Sequence, residues 1–155
     1  MDVKINWKGK MAFEGASDSG FAQKMDSDLS AGGENSAIRP MELIAFGLAG
    51  CTGMDVISIL QKKRQPVVDF QVMVHLERAE EHPKVFSNAV IEYLVTGKNV
   101  EKAALLRAIE LSAEKYCPAQ AMLGKAFPMQ LKYQIFDDDG SAMVSEGVFI
   151  PKPTV

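Results

Sequence analysis

One segment constrains the fold of this chain more than any other: the 18 residues from Leu43 to Leu60 contain a single formal charge, Asp55. A proline suits the first turn of a helix and basic residues suit its end, so the sequence predicts a helix from about Pro40 to Arg64. A helix that is apolar nearly all the way round must be covered on every side. Such coverage is difficult within 155 residues, so we expect part of this helix to lie in the interface of a homodimer.

A membrane span is the other environment that accepts so apolar a helix, and the sequence argues against it. Glu42 and Asp55 lie inside the candidate window, three glycines weaken it, and no aromatic belt flanks it. The first residues resemble no export signal and there are only two cysteines, so we expect a cytoplasmic protein. Acidic residues outnumber basic ones by 20 to 17, the wrong sign for holding phosphate backbones, so no nucleic-acid partner is expected.

The remaining elements predict an α+β fold in one domain, residues 1–155. Before the helix we expect an antiparallel β-meander with strands Val3–Trp7, Met11–Glu14 and Phe21–Asp26, then a flexible connection, Leu29–Ser36. After it we expect a hairpin of Val68–Leu76 and Val85–Thr96, a helix from an Asn99 N-cap to Tyr116, a short helix Pro118–Leu123 and a final strand Met129–Ile135. A charged turn at Asp137–Gly140 and a loosely held tail around Pro151–Pro153 complete the prediction.

The two cysteines, Cys51 and Cys117, are the candidate reactive groups. Cys117 precedes Pro118 and therefore stands at the N-cap of the short helix, a position that favours a thiolate. Asp55 lies one helical turn after Cys51, where an uncompensated carboxylate would disfavour a thiolate. Residue chemistry alone thus predicts that Cys117 is the more acidic thiol, and inert burial of both cysteines is the alternative.

Two motifs surround these cysteines. The run Arg-Pro-Met-Glu-Leu-Ile begins at Arg39 and opens the long helix, with Cys51 eleven residues after its proline; the second motif is the pair Cys117-Pro118. Together they resemble the OsmC/Ohr superfamily of hydroperoxide-handling proteins over residues 35–135, and the run from Gly50 to Val56 is similar to its YhfA-like branch. The resemblance implies the OsmC-like fold in an intertwined dimer: a β-meander, a long buried central helix, a hairpin, a second helix and a final strand.

The resemblance also implies a thiol peroxidase cycle with Cys51 and Cys117 as catalytic residues. Cys51 attacks an organic hydroperoxide and becomes a sulfenic acid, Cys117 condenses with it to a disulfide, and an external dithiol reduces the disulfide. The expected partners are therefore the peroxide and the dithiol, with no cofactor and no metal. The apolar candidates for lining a substrate channel are Phe46, Leu48, Met54 and Met122. The alternative is a non-catalytic binding or redox-sensing protein of the same fold.

The activating groups differ from those of the proven peroxidases, which place a glutamate ten residues before the first cysteine and an arginine in the N-terminal strands. Here Met41 is at the first of these positions and no arginine precedes Arg39. Glu42 would face away from Cys51 on an ideal helix, so we expect it to favour the helix dipole instead. The supporting candidates are Glu42, Arg39 and Asp55. Arg39 or a lysine such as Lys8 or Lys10 could replace the missing cation, and the partner subunit of a dimer could supply it.

Overall fold

The computed structural model describes residues 1–149, which form two compact units. The first unit is Met1–Phe46 and the second begins at Gly47, so the boundary lies inside the long helix. The tail around Pro151–Pro153, expected to be loosely held, lies outside the described residues.

The first unit contains the predicted β-meander. Its antiparallel strands are β1 (Val3–Gly9), β2 (Ala12–Ser17) and β3 (Ala22–Met25), in the order β1-β2-β3. Strand β2 continues through Gly15, where the sequence predicted a connection. A glycine is needed there because a Cβ would collide with the carbonyl oxygen of Lys4 on β1.

The connection after β3, expected to be flexible, has a defined shape built around Asp26. Leu29–Ala31 forms a short 3₁₀ helix, and the carboxylate of Asp26 is buried beside it. This carboxylate accepts hydrogen bonds from the backbone N–H groups of Ser27, Glu34 and Ser36 and from the Ser36 hydroxyl. These donors, the Ser36 hydroxyl first, hold the pKa of Asp26 well below its usual range.

The long helix, α1, runs from Pro40 to Lys62 without interruption, within two residues of the prediction. Its buried residues form a stripe with a spacing of four: Leu48, Thr52, Val56 and Leu60. Within one chain the helix is not covered on every side, because Phe46 is 68% and Met54 73% exposed. By length and composition alone, α1 is also the one helix within residues 1–149 that could cross a membrane.

The second unit contains a four-stranded sheet of order β4-β5-β6-β7: β4 (Val67–Arg78), β5 (Phe86–Gly97), β6 (Met129–Phe136) and β7 (Met143–Phe149). Strands β4 and β5 form the predicted antiparallel hairpin, and β6 lies parallel to β5. The prediction that β6 is the final strand is wrong, because β7 pairs with it. In β7 the less exposed positions are Ser145, Gly147 and Phe149 while Val144 and Val148 are exposed, so its valines do not mark the covered face.

Three helical segments connect β5 to β6: α2 (Lys102–Leu111), a π-helical turn (Ser112–Tyr116) and α3 (Pro118–Leu123). The predicted N-cap Asn99 is wrong. Glu101 precedes α2 instead, and Asn99 lies in the turn before it with φ +60°, a conformation that asparagine tolerates. The core joins α1 and α2 to the inner faces of β5 and β6, with fully buried members Val56, Leu60, Ile91, Tyr93, Leu105, Ile109 and Leu131. This packing holds the middle of α1, which contains Cys51, in a fixed position.

Candidate functional site

The two thiols are in contact, although 66 residues separate them along the chain. Cys51 is half-buried on α1, and Cys117, immediately before α3, is 2% exposed. The thiol of Cys117 donates a hydrogen bond to the sulfur of Cys51, with the two Sγ atoms 3.1 Å apart. A disulfide has an S–S length of about 2.05 Å, so the sulfurs would need to approach by only about 1 Å to bond. The structure therefore brings together the two candidate catalytic residues, and their catalytic role stays a prediction.

The Cys-Pro sequence fixes the position of Cys117. Its backbone N–H donates to the carbonyl oxygen of Ser112, which closes the π-helical turn, and Pro118 then begins α3. The Cys117 sulfur accepts a hydrogen bond from the backbone N–H of Gln120 at 3.4 Å, so Cys117 is the N-cap that the sequence predicted.

The prediction of an acidic Cys117 is nevertheless wrong. Burial raises the pKa of the Cys117 thiol to about 12, and the N–H of Gln120, which acts in the opposite direction, does not offset it. The bond to the Cys51 sulfur raises the pKa further because it uses the proton of Cys117. Cys117 is therefore the protonated donor of the pair and Cys51 the acceptor. Local sequence did not reveal this order, because the desolvation of Cys117 results from tertiary packing.

A cluster of buried polar side chains adjoins the thiols, and sequence reasoning missed it. We call it the Thr52 cluster; it consists of Thr52, Tyr93, Ser112 and Gln120. The hydroxyl oxygen of Thr52 is at its centre, 2.6 Å from the Tyr93 hydroxyl and 3.0 Å from the Ser112 hydroxyl. The side-chain amide of Gln120 donates to the same oxygen at 2.8 Å. The available signal was a threonine inside an otherwise apolar helix, because a buried hydroxyl needs partners.

The protons of this cluster point in one direction, toward Asp55. Ser112 donates its only hydroxyl proton to the carboxylate of Asp55 at 3.1 Å, so it must accept the proton of Thr52. Thr52 in turn accepts from Gln120 and from Tyr93, whose pKa burial raises well above its usual range, keeping that hydroxyl protonated. The Asp55 carboxylate thus has a hydroxyl partner and ends a chain of donors, rather than standing uncompensated beside Cys51.

The other supporting candidates lie in the first unit and are bound to one another. The backbone N–H of Arg39 donates to the Glu42 carboxylate at 2.9 Å, and its guanidinium does so at 3.2 Å. These bonds, the backbone one first, lower the pKa of Glu42, as expected for an acid at the start of a helix. Lys8 and Lys10 are paired as well, with Glu14 at 3.4 Å and with Glu34 at 2.6 Å.

The apolar candidates divide into two groups. Leu48 is part of the core, whereas the others are exposed: Phe46, Met54 and Met122. As for metals, the part of the chain that the structure describes contains no group of three or more His, Cys, Asp or Glu side chains that could hold an ion.

Comparison with known proteins identifies the family. Residues 33–132 match the model of the OsmC-like protein family. The protein YhfA of Escherichia coli (strain K12) is 39% identical over 135 residues, which cover 87% of this chain and 98% of that protein. The chain therefore belongs to the OsmC-like protein family, as its two cysteine motifs predicted.

Solved structures share the same fold. A hypothetical protein from Aquifex aeolicus VF5 has 30% identity and a TM-score of 0.77, with 88% of this chain and 96% of that chain covered. An organic hydroperoxide resistance protein OsmC from Legionella pneumophila has a TM-score of 0.62 at 15% identity, over 86% of this chain and 94% of that chain. The α+β class and the OsmC-like fold predicted from the sequence are thus confirmed.

Proposed function

We propose that this protein reduces organic hydroperoxides through a two-cysteine cycle in which Cys51 attacks the peroxide and Cys117 resolves the product. The observation that supports this most strongly is the 3.1 Å contact between the two sulfurs. Two structural cysteines would each be satisfied by apolar packing, and nothing in such packing requires them to meet. The fold shared with proteins named for hydroperoxide resistance agrees with this chemistry.

In the first step, the Cys51 thiolate attacks one oxygen of the hydroperoxide. The S–O bond forms to the terminal oxygen, the O–O bond breaks, and the leaving alkoxide takes up a proton from water and departs as the alcohol. The sulfur is oxidised to a sulfenic acid and the peroxide is reduced. The neighbouring thiol of Cys117 keeps its proton, because burial raises its pKa to about 12, and its S–H bond points at the sulfur that must hold negative charge.

In the second step, the Cys117 sulfur attacks the sulfenic sulfur of Cys51. An S–S bond forms, the S–O bond breaks, and hydroxide leaves with the proton of Cys117 as water. The proton that makes Cys117 a poor first nucleophile is therefore the one that the leaving hydroxide needs. An external dithiol then reduces the disulfide by thiol exchange, and the cycle requires neither cofactor nor metal.

We further propose that the active form is a homodimer in the cytoplasm, where thiols remain reduced. Large apolar side chains are exposed on both units of the single chain, and extensive exposed apolar surface is typical of interaction sites. In the first unit they include Val3, Ile5, Trp7, Phe21 and Phe46, and in the second Met54 and Met122. A second copy that covers them would also supply apolar surroundings for an organic peroxide, and sedimentation equilibrium tests the dimer directly.

A second candidate function is redox sensing or binding without turnover. The observation that favours it is the pairing of Arg39 with Glu42, and of Lys8 and Lys10 with their own glutamates, which leaves each candidate activating cation bound to a carboxylate. A sensor would form the disulfide once, with a stoichiometric amount of peroxide, and would not be reduced rapidly by a dithiol.

The test is the consumption of cumene hydroperoxide in the presence of dithiothreitol, with a blank that omits the protein. We expect turnover by the parent, blank rates for Cys51→Ser, and a single sulfenic acid, trapped by dimedone, in Cys117→Ser. A parent rate equal to the blank with a stoichiometric disulfide would favour the sensor. A Cys51→Ser variant as active as the parent would exclude Cys51 as the attacking group.

A further inference from the structure

We propose that Thr52 and Gln120 are positioning residues, which hold the thiol pair together through the hydrogen bond between their side chains. The inference rests on the proposed role of Cys51 and Cys117 as a redox pair. Thr52 follows Cys51 on α1, and Gln120 lies three residues after Cys117 in α3. The 2.8 Å bond between the Gln120 amide and the Thr52 hydroxyl therefore spans the same gap as the two sulfurs.

Gln120 has contacts on both sides of this gap. Its backbone N–H donates to the sulfur of Cys117 at 3.4 Å, while its side chain donates to Thr52 at 2.8 Å. One residue thus contacts the sulfur of one cysteine and the immediate neighbour of the other. A movement of α3 away from α1 would have to break the Gln120–Thr52 bond as well as the contact between the sulfurs.

Gln120 is the most deeply buried residue of the helix that bears it. The helix is six residues long, and Gln120 is its only buried residue. Its apolar residues are less well covered: Ala119 and Leu123 are half-buried and Met122 is 67% exposed. A polar side chain is thus the deepest anchor of α3, and the structure gives that side chain only hydroxyl groups of the Thr52 cluster as partners.

The direction of the protons keeps this anchor in place. Thr52 donates to Ser112, and Ser112 donates to Asp55, so the lone pairs of Thr52 remain available to the amide of Gln120. Without the Thr52 hydroxyl, the amide would retain only the Tyr93 hydroxyl at 3.5 Å, a marginal bond. Because burying an unsatisfied amide is costly, we expect α3 to move outward in that case and to take Cys117 with it.

The equilibrium of the protein with glutathione measures this effect without any peroxide. Two protein thiols and one glutathione disulfide exchange to give the protein disulfide and two reduced glutathiones, and intact mass after acid quenching counts each form. We expect Thr52→Val and Gln120→Leu to lower the equilibrium constant of the intramolecular disulfide about tenfold, the factor for one buried hydrogen bond, which equals about 30 mV. The equilibrium constant of the double variant should be no lower than that of either single variant, because both substitutions remove the same hydrogen bond.

Two controls separate positioning from general loosening. Thr52→Ser keeps the hydroxyl and should restore the parent equilibrium. Val56→Ala creates a cavity on the same buried stripe of α1, so it should lower the unfolding midpoint and leave the disulfide equilibrium unchanged. If Thr52→Val does not fold, Gln120→Leu decides the question alone.

The inference would be overturned if the parent forms the disulfide and Gln120→Leu forms it equally well. It would also be overturned if Val56→Ala lowers the equilibrium constant of the disulfide as much as Thr52→Val and Gln120→Leu do. A parent that forms no intramolecular disulfide at any glutathione ratio would overturn both this inference and the proposed function. A parent that forms the disulfide without reducing peroxides would overturn the peroxidase function alone. The effect of the Gln120–Thr52 hydrogen bond on the disulfide equilibrium would still be measured.

Discussion

The assignment of Cys117 as the resolving thiol predicts that it is a slow nucleophile in the folded protein. A pKa of about 12, in place of the ordinary 9.0, makes its thiolate fraction at neutral pH about a thousandfold smaller. A more basic thiolate is also a better nucleophile, and a Brønsted coefficient of about 0.5 makes the Cys117 thiolate about thirtyfold more reactive than an ordinary one. The net expectation is that Cys117 reacts about thirtyfold more slowly than an ordinary thiol, before any protection by burial.

The assay is alkylation by iodoacetamide, followed by intact mass, in a Cys51→Ser variant whose only thiol is Cys117. The control is the same variant unfolded in urea at the same pH, where the thiol has its ordinary pKa. Cys51→Ser removes the sulfur that accepts the Cys117 proton and leaves burial, the larger cause of the shift, in place. We therefore expect the folded variant to react more slowly than the unfolded one, by up to about thirtyfold from the raised pKa, the value for the full shift.

The pH dependence separates pKa from access. The sign follows from the raised pKa: the logarithm of the folded rate should still rise linearly with pH at pH 10, whereas the unfolded rate levels off near pH 9, the ordinary value for a thiol. A folded rate that levels off below pH 8, or that exceeds the unfolded rate at neutral pH, would refute the reasoning. It would make Cys117 an activated thiolate and reverse the roles of the two cysteines.

Three further predictions concern stability. Leu60→Ala, at a fully buried position of α1, should lower the free energy of unfolding in urea by about 2–5 kcal/mol; a loss below about 1 kcal/mol would mean that the core closes around the cavity. Because the pKa of Asp26 is depressed in the fold, its contribution to stability is present above the ordinary aspartate pKa and is lost as the pH falls from that value through the depressed one. Asp26→Asn should therefore be less stable than the parent at pH 7, and its stability should depend less on acid. Equal acid profiles of the two proteins in urea titrations would contradict this. Gly147→Val should destabilise the chain by about 1–3 kcal/mol, because a Cβ would stand 2.7 Å from the Tyr133 hydroxyl; an unchanged thermal midpoint would show that the Tyr133 ring moves aside at no cost.

The elements that the sequence predicted well are those with strong local patterns. The apolar run of α1 and the alternation in β4 and β5 each identified an element almost to its ends. Strand β7 could not be found in this way, because Ser145 and Gly147 are among its less exposed positions while its valines face outward. Its partner β6 specifies the pairing, and Gly147 fits the ring of Tyr133 rather than any local pattern.

The candidate site was predictable only in part, for a similar reason. The motifs located Cys51 and Cys117, but Thr52, Tyr93, Ser112 and Gln120 belong to four different segments and meet only in the folded chain. The protonation of Cys117 was predicted in the wrong direction because local sequence showed the N–H donors of α3 and not the packing that desolvates the thiol. Position along the chain was thus visible in the sequence, whereas burial was not.

The most direct test of the central claim is the mass of the parent under non-reducing conditions after one equivalent of cumene hydroperoxide. The account predicts the loss of two hydrogen atoms and, after proteolysis, one peptide pair that links Cys51 to Cys117 within a single chain. A parent that retains both free thiols, or that gains oxygen at Cys51 without ever forming this link, would contradict the claim that the two sulfurs act as one redox pair.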